Sequence, residues 1–179
     1  MAKAVLISIR PEWVEKILAG EKTLEVRKTR PNMGTPFKCY IYCTNSGVAM
    51  GMWGKHGKVV GEFFCDKITW LTHVGFSGLP GIRLVAMKNG HTIDDSFDFS
   101  ESCLTTPQIE KYLGGKDGYA WHISKLEIYD DPKQLNRFKP WSRECKYNDL
   151  GFAIPNCGTC QDCIVKKPPQ SWCYVEELK

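Results

Sequence analysis

The sequence has few histidines, no long apolar run and no large excess of charge of either sign. Its four histidines, His56, His73, His91 and His122, are dispersed among 179 residues. The paired spacing that places two imidazoles on one metal is therefore missing, and a histidine-based metalloenzyme is excluded. The most apolar stretches, Ala4 to Ile9 and Val59 to Cys65, fall far short of the ~20 residues a spanning helix needs. Met1-Ala2-Lys3 leads straight into strand-like sequence. No signal peptide or membrane segment is expected, and the expected location is cytoplasmic. The glycines between Gly51 and Gly61 lack the lysine–hydroxyl pair of a phosphate-binding loop, which leaves nucleotide hydrolysis without support. Lys plus Arg number 24 against 20 Asp plus Glu, a net charge of +4, compatible with a polyanionic partner without requiring one.

What is present is an ordinary globular composition, 42% hydrophobic and 12% aromatic. A chain of this length buries roughly 70% of its unfolded surface in one core, so a single domain over 1–179 is expected. Ala4 to Ile9 reads as a buried strand. It stops at Arg10-Pro11, where a helix carrying Trp13, Val14, Ile17 and Leu18 on one stripe begins and runs to Gly20. Lys22 to Lys28 alternates with period two, so Leu24 and Val26 face a core while Thr23, Glu25 and Arg27 share the other face. Further strands are expected over 37–44, 58–70, 118–129 and 170–175. A short helix is expected from Thr105 or Thr106 to Leu113, stopped by Gly114-Gly115. Residues 71–103 read as loop with short pieces of order, and 130–167 as an elaboration rather than core, with 140–167 a cysteine-rich insertion. The fold class is α+β, mainly β: a strongly bent sheet or small mixed barrel with peripheral short helices.

The densest chemistry lies at Gly20-Glu-Lys22-Thr-Leu-Glu25-Val-Arg27. A lysine, a carboxylate and a guanidinium meet at a helix-to-strand turn. The cations suit a phosphate or base edge, and Glu25 can accept from an exocyclic amine or orient the cations. Strand geometry puts Lys22 and Glu25 on opposite faces, so Lys22 has to sit in the turn or at a bulge to join the others. The plainer alternative is an ion pair between Glu25 and Arg27 with Lys22 exposed.

This Gly-x-Lys-x-x-Glu-x-Arg pattern, with Leu6 to Trp13 before it and Gly118-Tyr-Ala-Trp-His122 and Pro169 to Val175 after it, resembles the ASCH domain family. The resemblance is to its longer phage and bacterial members. It implies a PUA-like small β-barrel whose relatives bind RNA or a modified nucleobase in a cleft near the motif. Some relatives are amidohydrolases that deacetylate acetylcytidine. Their lysine corresponds to Lys22, whereas the position of their catalytic threonine corresponds to Glu25 here.

Two expectations follow. The first is a binding module for RNA, single-stranded nucleic acid or a nucleoside, with Lys22, Glu25 and Arg27 at the cleft. Tyr42, Trp121 and Trp172 would offer stacking surfaces, although most such rings are expected to be core, Gln170 and Ser171 could read a base edge, and Ser8 and Arg10 are weaker candidates at the end of the first strand. The rival is a small amidohydrolase or ribonuclease using Lys22 and Glu25 as catalytic groups at the same place.

A second constellation is Cys145, then Cys157-Gly-Thr-Cys160-Gln-Asp-Cys163. Two-residue gaps let neighbouring thiolates reach one tetrahedral ion, so these four cysteines are expected to hold a structural zinc; an iron–sulfur cluster or free thiols are the alternatives. A closed four-thiolate site offers no open position for catalysis, and the metal would add folding energy to a segment too polar to form a core. The remaining five cysteines, Cys39, Cys43, Cys65, Cys103 and Cys173, read as small buried hydrophobes.

Overall fold

The computed structural model describes residues 2–46, 54–75, 82–88, 91–92, 98–141 and 164–178. They group into two compact units, each discontinuous in sequence. The first holds Met1–Glu15, Phe37–Phe63 and Leu126–Lys179, and the second holds Lys16–Pro36 and Phe64–Lys125.

In the first unit the run Ala4 to Ile9 forms β1 (Lys3–Ile9), and Ala4 to Ile7 are wholly buried. Burial on both faces is what an unbroken apolar run without alternation predicts. On one side β1 pairs in parallel with β3 (Phe37–Cys43), Val5 opposite Cys39 and Ser8 opposite Tyr42. On the other it pairs antiparallel with β8 (Trp172–Glu176), Ile7 opposite Trp172. The core beneath is Leu6, Tyr40, Val59, Tyr129, Phe138, Val165 and Val175. The rings of Tyr40 and Phe138 meet edge to face at 4.9 Å.

Phe138 and Val165 correct the reading of 130–167 as elaboration. Both are buried, and the Val165 N–H donates to the Phe138 carbonyl at 2.8 Å. Prolines and charges around them dilute the local hydrophobicity that would have marked two isolated anchors. The segment 142–163, with Cys145, Cys157, Cys160 and Cys163, lies outside the described residues.

The chain enters the second unit within α1 (Pro11–Leu18), whose Val14 and Ile17 are fully buried. Gly20, at φ +76°, turns the chain out of the helix in the left-handed conformation that glycine adopts without strain. The strand β2 (Leu24–Arg27) pairs antiparallel with the start of β7 (Gly118–Gln134), Glu25 opposite Trp121 and Arg27 opposite Tyr119. The helix α2 (Thr106–Leu113) starts and stops where expected. The Gln108 side chain accepts from the Thr105 N–H at 2.8 Å, and Gly114 closes the helix at φ +65°. Ile109 and Leu113 of α2 pack with Leu24, Val26, Leu71 and Ala120.

Order between 71 and 103 exceeds the expectation of loop. β4 (Lys58–Gly75) continues past Trp70, β5 (Ile82–Lys88) pairs with it, and β6 (His91–Thr92) pairs with β5, Lys88 opposite His91. A short 3-10 turn, Phe99–Ser102, follows.

The fold is thus mainly β, with a mixed sheet and two short helices. Strand order is β2-β7-β4-β3-β1-β8, with β5 on β4 and β6 on β5. Among the described residues that order does not close on itself, so the expected closed barrel is not what the pairing shows. No helix among them is long and apolar enough to cross a membrane.

Candidate functional site

β2 departs from its alternating pattern in a way that defines the site. All four of its residues are buried, Glu25 and Arg27 as well as Leu24 and Val26. Lys22 precedes the strand, in the turn, one of the two places from which it can join Glu25, and is only 2% exposed. Its backbone N–H donates to the Lys16 carbonyl at 3.1 Å, which folds the turn back on α1. Lys22 Nζ then reaches the Leu24 carbonyl at 2.8 Å, the Ser102 carbonyl at 2.6 Å and Glu25 Oε2 at 3.2 Å. Those three acceptors match the three N–H donors of an ammonium. The other carboxylate oxygen, Glu25 Oε1, takes Arg27 Nη2 at 2.9 Å.

Glu25 therefore bridges two buried cations. The alternative of an exposed lysine beside a solvated ion pair does not hold. The three charges sit in a place where water screens little. Tyr112 of α2 lies within reach of this field. Burial pushes its hydroxyl pKa up, Arg27 opposes the shift and Glu25 adds to it.

Other expected residues divide between the two units. Trp121 falls in the second unit, but at 0% exposure it presents no ring face for stacking in this conformation. In the first unit β1, β3 and β8 gather a separate set. Ser8 stands opposite Tyr42, its hydroxyl donates to the Pro169 carbonyl at 2.6 Å, and its N–H donates to the Ser171 carbonyl at 2.9 Å. Tyr42 is 4% exposed and belongs to the core there. Trp172 is half-buried and meets Tyr174 edge to face at 5.3 Å. Gln170 and Arg10 are exposed, and Arg10 makes only a loose 4.0 Å contact with Glu12.

Three features of the second unit escaped the sequence reading. The Ser102 carbonyl that anchors Lys22 comes from a stretch without period. Thr69, 2% exposed, lies 3.1 Å from His122 Nε2, and burial, then the Lys67 charge, lowers the His122 pKa so that the ring stays neutral near pH 7. Trp70 is 38% exposed although it sits in a strand. The alternation of Thr69, Trp70, Leu71 and Thr72 was the available signal for which of them faces outward.

Among the described residues no group of three or more His, Cys, Asp or Glu side chains is placed to hold a metal. Cys39, Cys43 and Cys65 are buried and Cys103 and Cys173 half-buried, all as free thiols.

No protein-family model matches the sequence, and neither does any curated protein. Solved structures do match. ASCH from Zymomonas mobilis aligns over 97% of this chain and 88% of its own, at 18% identity and a TM-score of 0.57. A tyrosine-to-phenylalanine mutant of that protein covers 98% of this chain and 92% of its own, at 19% identity and a TM-score of 0.57. A serine-to-alanine mutant covers 97% and 89%, at 18% identity and a TM-score of 0.56. The buried Lys22–Glu25–Arg27 trio thus stands in a chain that has the ASCH-type fold.

Proposed function

We propose that the chain binds RNA, another single-stranded nucleic acid or a nucleoside, with a phosphate or base edge at the Glu25–Arg27 edge of the buried trio. The observation that carries this reading is the convergence of Lys22, Glu25 and Arg27, joined by contacts of 3.2 and 2.9 Å at less than 10% exposure. A guanidinium beside a carboxylate offers the donor and acceptor set that a phosphate or a base edge needs. Lys22 has its three donors engaged, so its part is to hold Glu25 in place. The solved ASCH structure supports the fold, and the ligand class follows from the charge chemistry and from the family resemblance of the motif.

The hydrolase or ribonuclease alternative rests on the 3.2 Å contact between Lys22 Nζ and Glu25, short enough for proton transfer. Enclosure of Nζ by two carbonyls leaves it no face toward a substrate, so binding is the better-supported reading. The four cysteines of the insertion form, in the same proposal, a structural zinc site on the strength of their spacing. Metal analysis of purified protein tests this point: about one zinc per chain is expected, and its loss in Cys160→Ser.

The binding reading is tested by titrating a labelled oligouridine at several salt concentrations. Arg27→Gln should weaken binding at every salt and lower the slope of log affinity against log salt by about one. An unchanged affinity and slope would remove Arg27 from the site.

A further inference from the structure

Among the described residues Trp70 is one of the large apolar side chains left exposed, at 38%, and Tyr112 is another, at 40%. Exposure alone is ordinary, but Trp70 is also fixed. Its indole N–H donates to Asp117 Oδ2 at 3.0 Å, and the Thr72 hydroxyl donates to Asp117 Oδ1 at 2.6 Å. Both oxygens of the nearby carboxylate are thus occupied by neutral donors. A ring pinned by its edge has little rotamer freedom left to lose when something stacks on it.

Two residues beyond Asp117 lies Tyr119, which stands opposite Arg27 in the β2–β7 register. Arg30 lies 5.8 Å from the Tyr119 ring centre, and Lys28 Nζ lies 5.2 Å from that of Tyr112. Lys28 and Arg30 are both exposed. Two ring–cation pairs, Lys28 with Tyr112 and Arg30 with Tyr119, adjoin the trio within the second unit, and Asp117, two residues from Tyr119, holds Trp70. Aromatic rings receive bases of any identity, and the cations track the backbone. A protein partner would be better served by a continuous apolar patch than by rings set beside exposed positive charge.

We propose that Trp70, Tyr112 and Tyr119, with Lys28 and Arg30, form a stacking platform that carries a single-stranded nucleic acid onward from the Glu25–Arg27 site. This rests on the binding reading above and extends it from one nucleotide to a strand. Selectivity for single strands follows, because a paired base has no free face to stack.

The test compares two probes, uridine monophosphate and an oligouridine of about 12 nucleotides, a length within the span one such surface covers. Binding of both to wild type and to Trp70→Ala, Trp70→Phe, Lys28→Ala and Arg27→Gln is measured, with circular dichroism to confirm folding. The platform predicts that Trp70→Ala weakens oligomer binding about fivefold or more and leaves the monophosphate unchanged. Trp70→Phe, which keeps a ring, should restore most of the loss, and Lys28→Ala should lower the salt slope by about one. If Trp70→Ala and Lys28→Ala bind the oligomer as wild type does while Arg27→Gln weakens both probes, the platform is overturned and the trio reading stands. If Trp70→Ala matters and Arg27→Gln does not, the platform stands and the trio loses its role. Failure of wild type to bind either probe overturns both.

Discussion

Replacing Glu25 by alanine isolates the feature on which the site depends. The substitution removes the single carboxylate between Lys22 and Arg27, whose side chains are 2% and 9% exposed. Lys22 keeps its two carbonyl acceptors, but two like charges then share a poorly hydrated space without the carboxylate that joins them. Breaking a buried pair from one side costs about 3–5 kcal/mol, far more than the pair contributes relative to a neutral substitute. For a chain of this size that corresponds to a fall in Tm of roughly 6–20 °C. Glu25→Gln, which keeps the shape and one acceptor, should lose less than Glu25→Ala. The control is Glu21→Ala. Its 3.0 Å contact with Lys16 joins side chains 59% and 42% exposed, and pairs of this kind contribute about 0–1 kcal/mol. Urea titration of all three variants beside wild type, read by circular dichroism, gives the ranking directly. A Glu25→Ala midpoint indistinguishable from that of Glu21→Ala would refute the claim that these charges are buried and mutually dependent.

Three other predictions concern the rest of the molecule. Burial favours the protonated form of Glu62, but hydrogen bonds from Lys38 and Tyr129 outweigh it and hold its pKa below the ordinary 4.5. A carboxylate with a depressed folded pKa contributes stability at neutral pH that is lost as pH falls from about 4.5 downward. Glu62→Gln should therefore flatten the acid limb of a stability–pH profile, and an unchanged limb would contradict this. A Cβ at Gly61 would lie 2.5 Å from the Glu127 carbonyl oxygen, so Gly61→Ala should destabilise by about 1–3 kcal/mol in urea melts; a neutral effect would show that the two strands can separate there. Burial pushes the thiols of Cys43 and Cys173 up to about 11 and that of Cys65 up to about 12. Iodoacetamide at pH 8 should leave these three unlabelled in native protein and label them in urea, as mapped by mass spectrometry; equal labelling in both states would show them accessible.

How much of this was legible in the sequence depends on how local each cause is. α2 could be read almost to the residue because Thr105, Pro107, Gln108 and Gly114 act within one turn of where they stand. β1 was legible because an unbroken apolar run needs no knowledge of its neighbours. Parity gave the condition for Lys22, since an odd spacing from Glu25 requires a turn or a bulge if the two are to meet, but only the packing decides whether they meet. Its anchor did not follow, because Ser102 is remote in sequence and contributes a carbonyl, which every residue has. Trp121 and Tyr42 illustrate the opposite difficulty: large aromatic rings favour the core, as both of these do, but the residue type alone does not say which of them stays outside. Trp70 was passed over for the same reason, although its outward face comes from simple alternation with Leu71.

The proposed function places a nucleoside or a nucleotide of a single strand at the Glu25–Arg27 edge. Native mass spectrometry of wild type and Arg27→Gln, each incubated with the same panel of nucleosides and short oligonucleotides, tests it most directly. The account predicts at least one retained ligand on wild type and its loss or marked reduction on the folded variant. Equal retention by both proteins, or none by wild type across the panel, would contradict it.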